Sequence, residues 1–199
     1  MSWVFLKRTI DDKRRIGAKS LTEVLTWIDA SFAVHDNLRS HMGGCISMGT
    51  GLIHGKSAME KLNAKSSTEA ELIGMAEYLP YNLWLIMFLK EQGYEIANNV
   101  IFQDNKSAIL MEKNERNSCT GNSRHINVRY FWVKDRIDKG EVRVEYLPTH
   151  LMLADYYTKP LMGSKFNLLR EYIMGWRAVS DLLIKKDKHD IKEGVGNKM

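Results

Sequence analysis

Two short apolar runs constrain the fold of this chain more than any other feature: VLTWID at 24–29 and VIFQD at 100–104. Both have the period-two pattern of a strand, and both end on an aspartate. Leu25, Trp27 and Asp29 fall on one face of the first, and Val100, Phe102 and Asp104 on one face of the second. A carboxylate at the end of a buried strand is costly unless it is paired or holds a cation. Strand ends in α/β sheets are also where functional sites collect. The bland reading is that each aspartate caps the following loop.

The other elements follow from local pattern. Gly43–Met48 and Leu52–Ser57 flank Gly49-Thr50-Gly51, a hairpin signal. Ser66 and Glu69 fit a capping box at a helix start, and Leu72, Met75, Ala76 and Leu79 continue it as an apolar stripe. Pro80 is expected to break or kink that helix, with a second apolar helix running to Gly93. Lys106–Lys113 reads as a short helix and 114–123 as a polar loop. Ser123 then caps a helix whose apolar face is Ile126, Tyr130, Val133 and Ile137, with Gly140 ending it. Glu141–Tyr146 alternates sharply and reads as a half-exposed strand. A short helix carrying Asp155 stops near Pro160, and Phe166–Ile184 reads as one amphipathic helix. Strands and helices mix along the chain, which implies an α/β or α+β sheet with both kinds of strand pairing.

Composition sets outer bounds. At 199 residues, with 44% hydrophobic and 27% charged residues, the chain suits one globular domain with tails. The start MSWVFLKRTIDDKRR lacks the apolar core of a secretory signal, and no apolar run approaches bilayer-spanning length. Cys45 and Cys119 have no metal-site or disulfide-framework spacing. The expected setting is therefore cytoplasmic, neither secreted nor membrane-bound. The formal charge of +5 weakly favours a polyanionic partner.

Two further carboxylates join the strand-end pair. Glu71 shares a stripe with Met75 and Leu79 and points toward the rim of the buried helix face, although the wheel leaves Glu69 close to that face as well. Asp155, in LADYYTKP, stands near a short helix start, where the helix dipole alone would explain it. Asp29, Glu71, Asp104 and Asp155 together form an oxygen-ligand set of the kind hard divalent cations take. Two such ions can activate a water for phosphodiester cleavage.

These residues carry a resemblance. WIDASFAVH, SHMGGCISMG, KSSTEAELIGMAE, FQDNKSAILMEKN, SRHINVRYFWVKDRIDKGEV and EYLPTHLMLADYYTKPL resemble, in order and over residues 23–162, the ribonuclease H domain of copia-type LTR-retrotransposon Pol polyproteins. The resemblance implies a ribonuclease H-like fold, a five-stranded mixed sheet flanked by helices. It implies hydrolysis of the RNA strand of an RNA–DNA hybrid at a two-metal site. The ions would be Mg²⁺, with Mn²⁺ as substitute, held by Asp29, Glu71, Asp104 and Asp155. Within the pair, the motif assigns the metal role to Glu71 and the cap to Glu69. FLKRTIDDKRR resembles the tail of a preceding reverse transcriptase domain, so residues 1–22 read as its remnant and that domain as a partner. Residues 163–184 read as a C-terminal helix and 185–199 as a flexible charged tail. A virus-like particle would be the setting of an active element.

Other residues are candidates of a lower order. Lys65, Arg124, His125, Arg129, Trp132 and Arg136 are candidate nucleic-acid contacts, as are Lys56 and Lys61, against the plain reading of a solvated face. His150, five residues before Asp155, is a candidate auxiliary group or a solvated loop histidine. Competing functions are a catalytically silent or polymerase-dependent module, an integrase-like nuclease, and a host-coded basic nucleic-acid-binding domain. The integrase reading would want three carboxylates with Glu last, whereas here Glu is second and Asp last.

Overall fold

The computed structural model describes residues 9–113 and 124–184. The piece Trp3–Leu6, the polar loop 114–123 with its Ser123 cap, and the tail 185–199 lie outside the described residues. The side chains of Arg124 and His125 do so too.

In chain order the elements are β1 (Gly17–Ala18), β2 (Glu23–Ser31), β3 (His41–Ser47), β4 (Gly49–Thr50), β5 (His54–Met59), α1 (Ser67–Glu91), β6 (Asn98–Gln103), α2 (Lys106–Lys113), α3 (Arg124–Asp138) and β7 (Arg143–Tyr146). A 3₁₀ turn (Thr149–Leu151), α4 (Asp155–Thr158) and α5 (Gly163–Ile173) follow. Five strands form one mixed sheet in the order β5-β3-β2-β6-β7. The β5-β3-β2 meander is antiparallel, and β6 and β7 join parallel to β2. The expected hairpin forms, with Ile46 opposite His54. Its tip is itself paired, because β4 takes β1 as an antiparallel partner. This is the ribonuclease H-like architecture that the motifs imply.

Strand alternation sends β2 into two cores. Val24 and Ile28 pack with Met75, Tyr78 and Leu79 of α1 and with Val133 of α3. Leu25 and Trp27 face the other way, onto Leu151–Ala154, Leu169, Tyr172, Val179 and Leu182. Residues 163–184 therefore supply much of the second core.

Two helix expectations are corrected. Pro80 does not divide the first helix: α1 runs unbroken for 25 residues. Pro80 lies on its exposed side, while Leu79, Asn82, Ile86 and Leu89 keep the opposite side buried on both sides of the proline. Packing outweighs one lost backbone hydrogen bond. By length and apolarity this helix would also pass for a bilayer span, but more than half of its most apolar stretch is buried within the protein, which makes it the core helix. Phe166–Ile184, conversely, is not one helix. α5 ends at Ile173, and Gly175 adopts φ 72, a left-handed conformation that favours glycine. The chain turns there, Ala178 bridges Thr50, and a new helical stretch starts at 179. Trp176 in that turn donates to the Lys13 carbonyl at 2.9 Å, tying the N-terminal segment to it.

Candidate carboxylate site

Three carboxylates meet at one end of the sheet. Asp29 comes from the C-terminal end of strand β2, Glu71 from the first turns of α1, and Asp104 from the residue after β6. Their ligand oxygens lie within 4.8 Å of one another. Asp29 is 1% exposed and Glu71 5%, while Asp104 is half-buried. Burial and mutual repulsion act as physical chemistry requires. Desolvation, with Asp155 and Asp104 nearby, lifts the Asp29 carboxyl to about 6 despite the opposing Lys159 and Thr158. Burial, then the charges of Asp29 and Asp104, raises Glu71 well above the ordinary glutamate range. Closely spaced oxygen donors whose ionised forms are unfavourable without a counter-charge suit a hard cation, so the residues fit a divalent metal ion.

Glu69 and Glu71, both near the buried helix face by the wheel, part in geometry. Ser66 Oγ accepts from the Glu69 N–H at 3.2 Å, and Glu69 Oε2 accepts from the Lys65 N–H at 2.7 Å. The return bond thus lands one residue earlier than in the standard capping box. Glu69 closes the helix start, and Glu71 is the one turned inward to the carboxylates.

Asp155 lies beside this trio in a different state. It is fully buried at the start of α4, and both of its oxygens are taken: Lys159 Nζ stands 2.5 Å from Oδ1 and Lys165 Nζ 2.5 Å from Oδ2. Lys159 also reaches Asp29 Oδ2 at 3.4 Å, and the Thr158 hydroxyl donates to the same Asp29 oxygen. α4 comes this close because Gly43, opposite Asp29 on β3, has no side chain. A Cβ there would stand 2.7 Å from both Tyr157 Cβ and Thr158 Cγ2.

Several positioning groups were not legible as site residues. Gln103 Nε2 donates to Glu71 at 3.1 Å, while its Oε1 accepts from the Asp104 and Asn105 backbone N–H groups at 2.8 and 3.1 Å. One buried amide therefore orients Glu71 and shapes the turn that carries Asp104. Thr149 Oγ1 holds Asp104 Oδ2 at 2.8 Å. The neighbouring His150 is exposed on the same 3₁₀ turn. The only sequence signal for Gln103 was its place between Phe102 and Asp104 in the quoted motif; Thr149 and Lys159 had none beyond theirs.

The candidate nucleic-acid contacts have mixed surroundings. Arg136 is held by Glu141 and Asp135, and Arg129 stands 4.0 Å from Glu77. Trp132 packs partly against the first core. Lys65 and Lys61 are exposed, and Lys56 donates to the Tyr81 hydroxyl at 2.9 Å.

No protein-family model matches the chain. It is 33% identical over 138 residues to a retrovirus-related Pol polyprotein from transposon TNT 1-94 of Nicotiana tabacum, covering 69% of this chain and 10% of that protein. It is 30% identical over 132 residues to the Pol polyprotein from transposon RE1 of Arabidopsis thaliana, covering 66% and 9%. The chain thus spans about a tenth of the length of these relatives. Among solved structures, an N-terminal RNase H domain from Mycobacterium tuberculosis is 10% identical, with TM-score 0.48, covering 75% of this chain and 97% of that one. A foamy viral protease-reverse transcriptase in complex with RNA/DNA hybrid is 13% identical, with TM-score 0.48, covering 77% and 22%.

Proposed function

The chain belongs to the Pol polyproteins of retrotransposons, and from that premise we propose that it is a metal-dependent endoribonuclease that cuts the RNA strand of RNA–DNA hybrids during reverse transcription of a copia-type element. The observation that carries this reading is the convergence of Asp29, Glu71 and Asp104 within 4.8 Å at the end of the sheet. Mg²⁺, or Mn²⁺ in its place, would be held by these three with Asp155 beside them, and when bound would acidify a water and stabilise the leaving oxygen. The protein's own residues do the positioning. Gln103 fixes the Glu71 carboxylate, Thr149 fixes that of Asp104, and Thr158 that of Asp29. Burial keeps bulk water from screening the charges. Selectivity for RNA would rest on 2′-hydroxyl contacts and hybrid shape, with weak sequence preference and strong salt dependence. Lys56, Lys61 and Lys65 are candidate phosphate contacts whose ammonium groups pair with no acidic side chain among the described residues, and those of Lys61 and Lys65 are exposed. The partners in this reading are the hybrid and the reverse transcriptase domain, in the cytoplasm or in a virus-like particle.

One observation favours a second reading, a silent nucleic-acid-binding module: the fourth carboxylate, Asp155, is already neutralised by two lysines. Cleavage of a labelled RNA–DNA hybrid by the purified chain separates the two, with Mg²⁺, Mn²⁺ or EDTA and with Asp104→Asn as control. Metal-dependent cutting of the RNA strand alone, lost in the control, is the expected result. Hybrid binding without cutting, or equal cutting of duplex DNA, would refute it.

A further inference from the structure

The counter-charges at the site are unevenly distributed. Asp29, Glu71 and Asp104 face one another at one end, and among the described residues the neighbouring lysines ion-pair with neither Glu71 nor Asp104. At the other end the Lys159 ammonium lies between two buried carboxylates, 2.5 Å from Asp155 Oδ1 and 3.4 Å from Asp29 Oδ2. Its placement is partly local: Lys159 caps the C-terminal end of α4 in an extended conformation, four residues after Asp155, and its side chain reaches back to that acid. Lys165 from α5 closes the remaining Asp155 oxygen at 2.5 Å.

We propose that Lys159 is a tethered cation occupying the Asp29–Asp155 end of the site, and that a second divalent ion binds there only by displacing its ammonium. This rests on reading the four carboxylates as metal ligands. Two cations cannot share one pair of carboxylates at these distances without strong repulsion. The side chain is 34% exposed, so its head has an open path to solvent when an ion replaces it. The two ions then load unequally. The first meets three carboxylates of which only Asp29 is shared with the ammonium, and the second meets the ammonium at both Asp29 and Asp155. Lys159 thereby sets the metal concentration at which the pair is complete, and in metal-poor conditions it keeps Asp155 neutralised and α4 seated against Gly43.

Calorimetric titration of the full chain with Mn²⁺, in the absence of nucleic acid, tests this. The wild type is expected to bind one ion tightly and a second weakly. Lys159→Met should tighten the second step by at least about tenfold and the first, which shares only Asp29 with the ammonium, by clearly less. Lys159→Arg, which keeps the charge, should keep the weak second step. If the methionine variant does not fold by circular dichroism, Lys159→Gln is titrated to the same criterion. A second step that is unchanged or weaker in a folded, uncharged variant overturns the inference. Asp104→Asn isolates the underlying reading: retention of the tight ion there refutes the metal site itself, whatever Lys159 does.

Discussion

Asp29→Asn should make the metal-free protein more stable relative to wild type as pH rises, and only the wild type should recover on adding metal. The magnitude follows from the environment of Asp29. Its carboxyl moves from 3.8 to about 6 on folding, chiefly because it is buried. At about 1.4 kcal/mol per pKa unit, that is about 3 kcal/mol. The folded state binds the proton more tightly than the unfolded chain. The associated stability is therefore fully present below the unfolded value of 3.8 and is lost as pH rises through about 6. Wild type in EDTA should lose about 3 kcal/mol more than Asp29→Asn between about pH 4 and about pH 7.5. Coupling to Glu71, whose carboxyl is raised partly by the Asp29 charge, widens the gap. Urea denaturation followed by tryptophan fluorescence is the assay, since the fully buried Trp27 lies two residues from Asp29 on β2. Saturating Mg²⁺ should close the gap by restoring wild type alone. Parallel pH profiles for the two proteins, or an equal response to Mg²⁺, would refute the electrostatic account of the site.

Four other outcomes follow from the structure. Glu71→Gln should abolish metal-dependent hybrid cleavage without destabilising the metal-free fold. Glu69→Ala should cost about 1 kcal/mol by thermal denaturation and leave cleavage largely intact; a dead Glu69 variant would reverse the assignment of the pair. Gly43→Ala should cost about 1–3 kcal/mol and weaken cleavage, because its new methyl must push α4 off β3 and draw Thr158 from Asp29; wild-type stability would refute it. Glu60 is fully buried with both carboxylate oxygens unpartnered, and burial followed by the Glu77 charge lifts it from 4.5 to about 8. The stability linked to its proton is complete below 4.5 and lost as pH rises through about 8. Glu60→Gln should therefore gain on wild type by about 3 kcal/mol between about pH 5 and about pH 8 in urea titrations.

Local pattern alone determined much of this protein. Period-two alternation marked β2, β6 and β7, the Gly-Thr-Gly signal marked the β3–β5 hairpin, and Ser66 marked the start of α1. Each of these rests on neighbours in sequence, where side-chain direction and turn chemistry are set within a few residues. The motifs also named Asp29, Glu71 and Asp104, which the fold brings together. Tertiary structure decided the rest, because packing overrides local preference and joins residues distant in the chain. It carried α1 straight through Pro80, since both halves of the helix bury against one sheet, and it turned the chain at Gly175, where the N-terminal segment docks. It placed Lys159 between Asp29 and Asp155, separated by 130 residues from the former and only 4 from the latter. No sequence period encodes that meeting. It exists because Gly43 leaves room for α4 against the sheet, so the counter-charge of the site was settled by close packing.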